Sequence, residues 1–221
     1  SGVGWRRCDT CPVAGSMRTA GAPGEVMVHD PRARSTARGG RPADLRPRTW
    51  APQRELSAEI TPSNDFSLYD HVLDLTAMVG AVPAAYGWSG DRVDLATYFA
   101  MARGSRGAVC EHGHVHGDRE GAPAMEMTKW FDTNYHYLAP EFTVDQTFRL
   151  GSTKALDEYL EAKGQGIDTR PVLLGPVSYL LLGKTRGDFD VLSLLPRLLP
   201  VYAEVLRSLA RAGATWGQLD E

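Results

Sequence analysis

Nowhere in the 221 residues does an apolar run approach eighteen residues, and the first residues lack a charged stretch followed by an apolar one. Neither a membrane span nor a secretory leader is therefore expected, and a cytoplasmic location is. Cysteine is scarce: Cys8, Cys11 and Cys110 are an odd set, and no second CxxC pair follows Cys8-Asp-Thr-Cys11 to complete a four-thiolate zinc site. No GxGxxG or GxxxxGK[ST] follows any predicted strand. Gly183-Lys184-Thr185 has no upstream glycine at Walker spacing, so no nucleotide-phosphate cradle is expected.

The N-terminal stretch is poor in large aliphatic side chains. Residues 1–46 carry one leucine, no isoleucine and no phenylalanine, against seven glycines, four prolines and eight arginines. With four acids that stretch is +4, so the remainder must carry −7 to reach the net charge of −3. Too little apolar area is present there to offset the entropy of ordering, and a disordered tail over 1–45 is expected. Its arginines are scattered without interleaved aromatics, so nucleic acid is not expected as a partner.

From residue 47 the pattern is that of alternating strands and helices. Glu59, Ile60 and Thr61 read as a short strand stopped by Pro62, with Ser63, Asn64 and Asp65 as a polar turn. Leu68, Val72, Leu75 and Val79 form one helical stripe, capped by Ser67 and closed by Gly80. Asp94 is positioned to cap a second helix carrying Leu95, Tyr98, Phe99 and Ala102, which Gly104 ends. A helix capped by Ser152 follows with Leu156, Tyr159 and Leu160 inward. Val172, Leu173 and Leu174 then read as a strand buried on both faces. Positions 195, 198, 199, 202, 205, 206 and 209 predict a long amphipathic helix that Pro200 should kink, and Thr215 to Leu219 begins a last strand.

The stretch 124–142, AMEMTKWFDTNYHYLAPEF, holds the densest chemistry. Met125, Met127, Lys129 and Phe131 alternate with Glu126, Thr128, Trp130 and Asp132, which predicts a buried strand; Asp132 to Tyr137 then offers hydrogen-bonding groups suited to a pocket rim. Polar residues cluster after strand ends at Ser63–Asp65, Asp132–Tyr137 and Asp220–Glu221, where parallel α/β folds place their sites. The expected class is α/β with parallel strands alternating with helices, either an open doubly wound sheet or a (βα) barrel. The loop 104–123 holds Cys110, Glu111, His112, His114 and His116, a set able to ligate metal, but glycine-flanked and without evident second-layer partners.

Five segments resemble one family, cobalamin-independent methionine synthase: PSNDFSLYDHVLD (62–74), MTKWFDTNYHYLAPEF (127–142), RPVLLGPVSYLLLGK (170–184), LLPVYAEVL (198–206) and the closing QLDE. The resemblance runs over about 46–221 and implies part of an N-terminal (βα) TIM-type barrel domain, incomplete because the family's first strand and last three have no counterpart. The family's Pro-Arg-x-Gly and Arg-Glu-Leu-Lys folate segment is absent from residues 1–45, and Pro47 and Pro52 fall where the family reads as continuous helix.

In that family the resemblance implies methyl transfer from 5-methyltetrahydropteroyl-polyglutamate to homocysteine. The zinc and the homocysteine belong to a second barrel, and no cobalamin takes part. Lys129, by its place in the MTKWFDTNYHY motif, is implied as a contact of the folate polyglutamate; Asp132, Asn134 and Asp220 are candidates to shape the same rim, a role that turn-building explains equally well. No catalytic residue, metal ligand or bound zinc is expected in this chain, which is expected to be inactive alone. Two other readings stand beside it: a stand-alone folate-polyglutamate binding module, and a metal hydrolase built on the 112–116 histidine loop.

Overall fold

The computed structural model describes residues 42–56, 60–105 and 121–221. The Cys8/Cys11 motif, the tail up to residue 41 and the Cys110/His112/His114/His116 loop lie outside the described residues. The described residues divide into two compact units: those up to Tyr69 with Lys154–Gly175 and Val205–Glu221, and those of Asp70–Thr153 with Pro176–Glu204.

The first unit is built on a three-stranded parallel sheet, ordered β1 (Thr61–Ser63), β5 (Thr169–Leu174), β7 (Gln218–Asp220). Thr61 pairs with Thr169 and Leu174 with Asp220, so all three strands end at one edge of the sheet. β1 begins at Thr61, with Ile60 in a bend before it and Glu59 outside the described residues, and runs through Pro62, whose missing N–H is tolerated because β1 lies at an edge of this sheet. Along β5, Thr169, Pro171 and Leu173 are buried while Arg170, Val172 and Leu174 are half-buried. Central position in the sheet does not bury both faces equally, contrary to the reading of a continuous apolar run.

Helix α1 (Pro42–Glu55) contains both Pro47 and Pro52. Interior prolines each cost about 3 kcal/mol in a helix, so tertiary contacts must hold it. Trp50 is fully buried with Ala162 and Ile167, and its indole N–H donates to the Pro62 carbonyl at 3.1 Å. The guanidinium of Arg46 meets Glu158 at 3.3 Å and pairs with Glu161 on helix α4 (Lys154–Gly164). The face of α4 that turns inward is Ala155, Glu158, Tyr159 and Ala162, spaced i, i+3, i+4 and i+7. Leu160, expected inside, is 47% exposed, and the buried Glu158 takes part of that face because cations on both sides neutralise it.

In the second unit, helix α2 (His71–Met78) is capped by Asp70, whose carboxylate accepts from the Leu73 N–H at 2.8 Å. Ser67 does not cap it. Helix α3 (Leu95–Arg103) is capped by Asp94 through the Thr97 N–H at 2.7 Å and closed by Gly104 at φ 78°, both as the sequence predicts. Strands β2 (Met127–Lys129) and β3 (His136–Leu138) form an antiparallel pair, β4 (Glu141–Phe142) and β6 (Lys184–Thr185) a short parallel one, with helix α5 (Pro176–Leu182) before β6.

The long helix α6 (Leu195–Ala212) runs from one unit into the other. Leu198, Val201, Tyr202, Val205 and Leu209 are buried along it, and Leu199 is 46% exposed. Pro196 lies in its first turn, where a missing N–H is free of cost, and Pro200 sits inside without ending it.

The described residues form a mixed α/β fold with parallel strands and close no barrel. One expectation is corrected here. The stretch around Lys129 is not a buried parallel strand: β2 pairs antiparallel with β3, Met127 opposite Leu138 and Lys129 opposite His136, and both Met127 and Lys129 are exposed. Alternation alone reports a pleat, and the partner that decides its direction and burial comes from nine residues further on.

Candidate functional site

The antiparallel pair holds three of the four expected site residues on one short connection. Lys129 ends β2, and Asp132 and Asn134 lie in the turn that leads to β3. All three are exposed. The turn is fixed from within: the Trp130 N–H donates to the Tyr135 carbonyl at 2.8 Å, and the Thr133 N–H to the Trp130 carbonyl at 3.1 Å. The Thr133 hydroxyl donates to the same Trp130 carbonyl and accepts from the Tyr135 N–H at 3.2 Å. Phe131, between them, adopts φ 50° and leaves its ring 63% exposed.

Beneath the turn lies an aromatic layer in which Trp130 and Tyr137 are buried and His71 and Tyr135 half-buried. Trp130 packs against His71 with ring centroids 5.0 Å apart and against Tyr137 at 5.6 Å, while His71 stacks on Tyr135 at 5.7 Å. The Nδ1 of His71 and the Tyr135 hydroxyl are 3.0 Å apart. Burial lowers the His71 imidazole to about 4, against the Asp74 carboxylate, which raises it. Burial raises the Tyr135 phenol, helped by the charge of Asp70. Near neutrality the imidazole is thus uncharged and the phenol keeps its proton.

Asp70 locks this layer to the strands. Its second carboxylate oxygen accepts from the Leu138 N–H of β3 at 3.2 Å, so one side chain caps α2 and ties β3 to it. Burial pushes Asp70 up to about 7, against the backbone N–H groups of Leu73, Leu138 and Val72, which favour the ionised form.

The fourth expected residue, Asp220, belongs to the first unit. It stands at the C-terminal edge of β7, where its carbonyl accepts from the Gly175 N–H at 2.7 Å and its side chain meets the Gln218 amide. A Cβ at Gly175 would lie 2.2 Å from the Glu221 carboxyl carbon, so a side chain there would require the Glu221 side chain to move. At the same edge Asn64 takes φ 62° and donates to the Val172 carbonyl at 2.8 Å. Lys154 donates to the Asn64 amide oxygen at 2.9 Å and pairs with Glu158 at 3.2 Å. Burial raises the neighbouring Asp65 carboxyl, offset in part by a backbone N–H and the charge of Lys154. Ser63 is not part of a polar turn: it is fully buried in β1 and accepts from the Thr169 hydroxyl at 2.9 Å.

The structure therefore brings Lys129, Asp132 and Asn134 together and groups Asp220 with Asn64, Asp65 and Glu221 on a separate parallel edge. Sequence reasoning missed Lys154, His71 and Asp70. Of these, Asp70 alone carries a local signal, since an acid three residues before a helical N–H is a cap signature. The roles of Lys154 and His71 depend on partners 90 and 64 residues away. Among the described residues no group of three or more His, Cys, Asp or Glu side chains is placed to hold a metal ion. No helix among them is long and apolar enough to cross a membrane.

The family model described as cobalamin-independent synthase, N-terminal domain, matches residues 39–221. The chain belongs to that family. Among its relatives, the 5-methyltetrahydropteroyltriglutamate–homocysteine methyltransferase of Chelativorans sp. (strain BNC1) is 62% identical over 180 residues, which are 81% of this chain and 23% of the relative. The proteins of the same name from Nitrobacter winogradskyi and Salinibacter ruber are 60% and 61% identical, covering 81% and 80% of this chain and 24% and 22% of their own lengths. The chain thus spans about a quarter of the length of the family members it matches. At that identity the family's 62–74, 127–142 and 170–184 segments fall on β1 with α2, on the β2–β3 pair and on β5 with α5.

Proposed function

We propose that residues 46–221 are part of the folate-binding N-terminal barrel of a cobalamin-independent methionine synthase, working in the cytoplasm on methyl transfer from 5-methyltetrahydropteroyl-polyglutamate to homocysteine. The parallel β1–β5–β7 sheet supports the barrel reading: helices lie between its strands along the chain, and among the described residues no further strand pairs with the outer edge of β1 or of β7. In this reading zinc and homocysteine belong to a second barrel, and this chain supplies folate contacts without a catalytic residue of its own.

The observation that carries the proposal is Lys129. It is an exposed lysine at the end of β2, next to a turn whose backbone is fixed by internal hydrogen bonds. A mobile γ-linked glutamate tail carries several carboxylates, and a strongly hydrated point charge on a flexible stem suits them better than a rigid fork. Asp132 and Asn134 shape the same rim, and Asp220 the rim of the other unit.

Calorimetric titration of the chain with 5-methyltetrahydropteroyl-triglutamate and with its monoglutamate tests this. The triglutamate should bind more tightly, and Lys129→Ala should weaken it about tenfold, the loss expected for one charge-assisted contact. Equal affinity for the two ligands, or an unaltered Lys129→Ala variant, would refute the role. The chain alone should convert no homocysteine to methionine; turnover by it, free of any longer enzyme, would refute the division of labour between barrels.

A further inference from the structure

Phe131 is out of place by two ordinary rules. A large apolar ring is left 63% exposed at a turn, and its backbone sits at φ 50°, a region that favours glycine or asparagine and is strained for a bulky side chain. The turn chemistry does not require phenylalanine: hydrogen bonds from Trp130, Thr133 and Tyr135 fix the backbone without the ring. Packing does not require it either. The buried anchor is Trp130, and Phe131 meets that indole edge to face, with centroids 5.7 Å apart and planes at 84°. Strain of this kind persists where the surroundings impose it, and it concentrates at ligand clamps.

Its neighbour gives the ring a purpose. Lys129 lies two residues earlier, at the end of β2, and is exposed on the same strand-to-turn connection. An exposed cation and an exposed aromatic ring on one connection match a ligand in which an aryl group is joined by one amide to a carboxylate-bearing amino acid. We propose that Phe131 is a specificity residue that stacks on the p-aminobenzoyl ring of the ligand while Lys129 takes its glutamate carboxylates. This rests on the reading of Lys129 given above and adds the recognition of the aryl group.

Two probes separate the contributions: p-aminobenzoyl-triglutamate, and γ-linked triglutamate without the aryl ring, each titrated into this chain. Phe131→Ala should weaken the aryl probe about fivefold to tenfold and change triglutamate binding by less than about twofold. Phe131→Tyr should retain the affinity for the aryl probe, since it keeps the ring. Lys129→Ala should weaken both probes. Phe131→Gly should melt higher than Phe131→Ala, because glycine relieves the left-handed backbone that alanine keeps.

Unaltered affinity of Phe131→Ala for the aryl probe would overturn the inference and leave the exposed ring to contacts with other polypeptide. An equal loss for both probes would also overturn it, since the ring would then act only through the shape of the turn. If Lys129→Ala binds triglutamate normally while Phe131→Ala still discriminates, the reading of Lys129 fails and the aryl contact stands. Failure of the unaltered chain to bind either probe overturns both.

Discussion

The imidazole of His71 and the hydroxyl of Tyr135 meet at 3.0 Å inside the layer that also buries Asp70, two groups whose titrations oppose each other. Burial lowers His71 from 6.5 to about 4. Between those values the unfolded chain holds a proton that the folded one does not, so stability rises with pH. Burial raises Asp70 from 3.8 to about 7, and over that window the folded chain holds the extra proton, so stability falls as pH rises. Each slope is at most about 1.4 kcal/mol per pH unit, and between pH 4 and 6.5 they cancel.

Urea denaturation from pH 4 to 7 should therefore show little net slope from this pair. Asp70→Asn should expose the histidine limb and become more stable as pH rises. His71→Gln should expose the acid limb and become less stable over the same range. Parallel pH profiles for the unaltered chain and both variants would refute the opposition.

Asn64 combines a left-handed backbone with two side-chain hydrogen bonds, to the Val172 carbonyl and from Lys154. Asn64→Ala loses the bonds and keeps the backbone strain, whereas Asn64→Gly loses only the bonds. The alanine variant should be the less stable of the two by about 1 kcal/mol, read from denaturation midpoints. Equal stabilities would mean that the turn relaxes when the side chain is removed.

Glu158 is 3% exposed between Arg46 and Lys154, and replacing it with alanine leaves two cations facing a hole in the interior. A loss of roughly 3 kcal/mol is expected. The exposed pair between Lys184 and Glu126 is the comparison, and Lys184→Ala should cost no more than about 1 kcal/mol. Similar costs for the two variants would show that burial is not what gives the Glu158 network its weight.

Trp50 is the apolar anchor of α1, and Trp50→Ala should cost about 3 to 5 kcal/mol and reduce helicity in far-ultraviolet circular dichroism. Trp50→Phe keeps most of the apolar contact and loses the bond to the Pro62 carbonyl, so about 1 kcal/mol is expected. A helix that survives Trp50→Ala unchanged would place its support elsewhere, with Arg46 the next candidate.

Several features depended only on neighbours along the chain, and these were legible in the sequence. Asp94 and Gly104 bound α3 because a cap and a left-handed stop act over three or four residues. The stripe of α6 is visible because a helix buries every third or fourth residue whatever it packs against. The alternation of strands with helices and the family segments pointed to parallel β1, β5 and β7, and the sheet has them.

What the tertiary structure alone decided are the pairings between distant segments. The alternation through Met125–Phe131 does not say whether its partner runs parallel or antiparallel, and the return of the chain through His136–Leu138 makes it antiparallel and exposed. Pro47 and Pro52 argue locally against a helix that Trp50 and Arg46 hold in place through contacts with residues more than ten and more than a hundred positions away. Asp70, His71 and Tyr135 become one unit only when α2 packs beneath β3, and Lys154 acquires Asn64 as a partner only when α4 lies beside β1. Local sequence carries propensity and capping; hydrogen bonds and ion pairs across such separations exist only once the chain has closed those loops, and that is where the site is made.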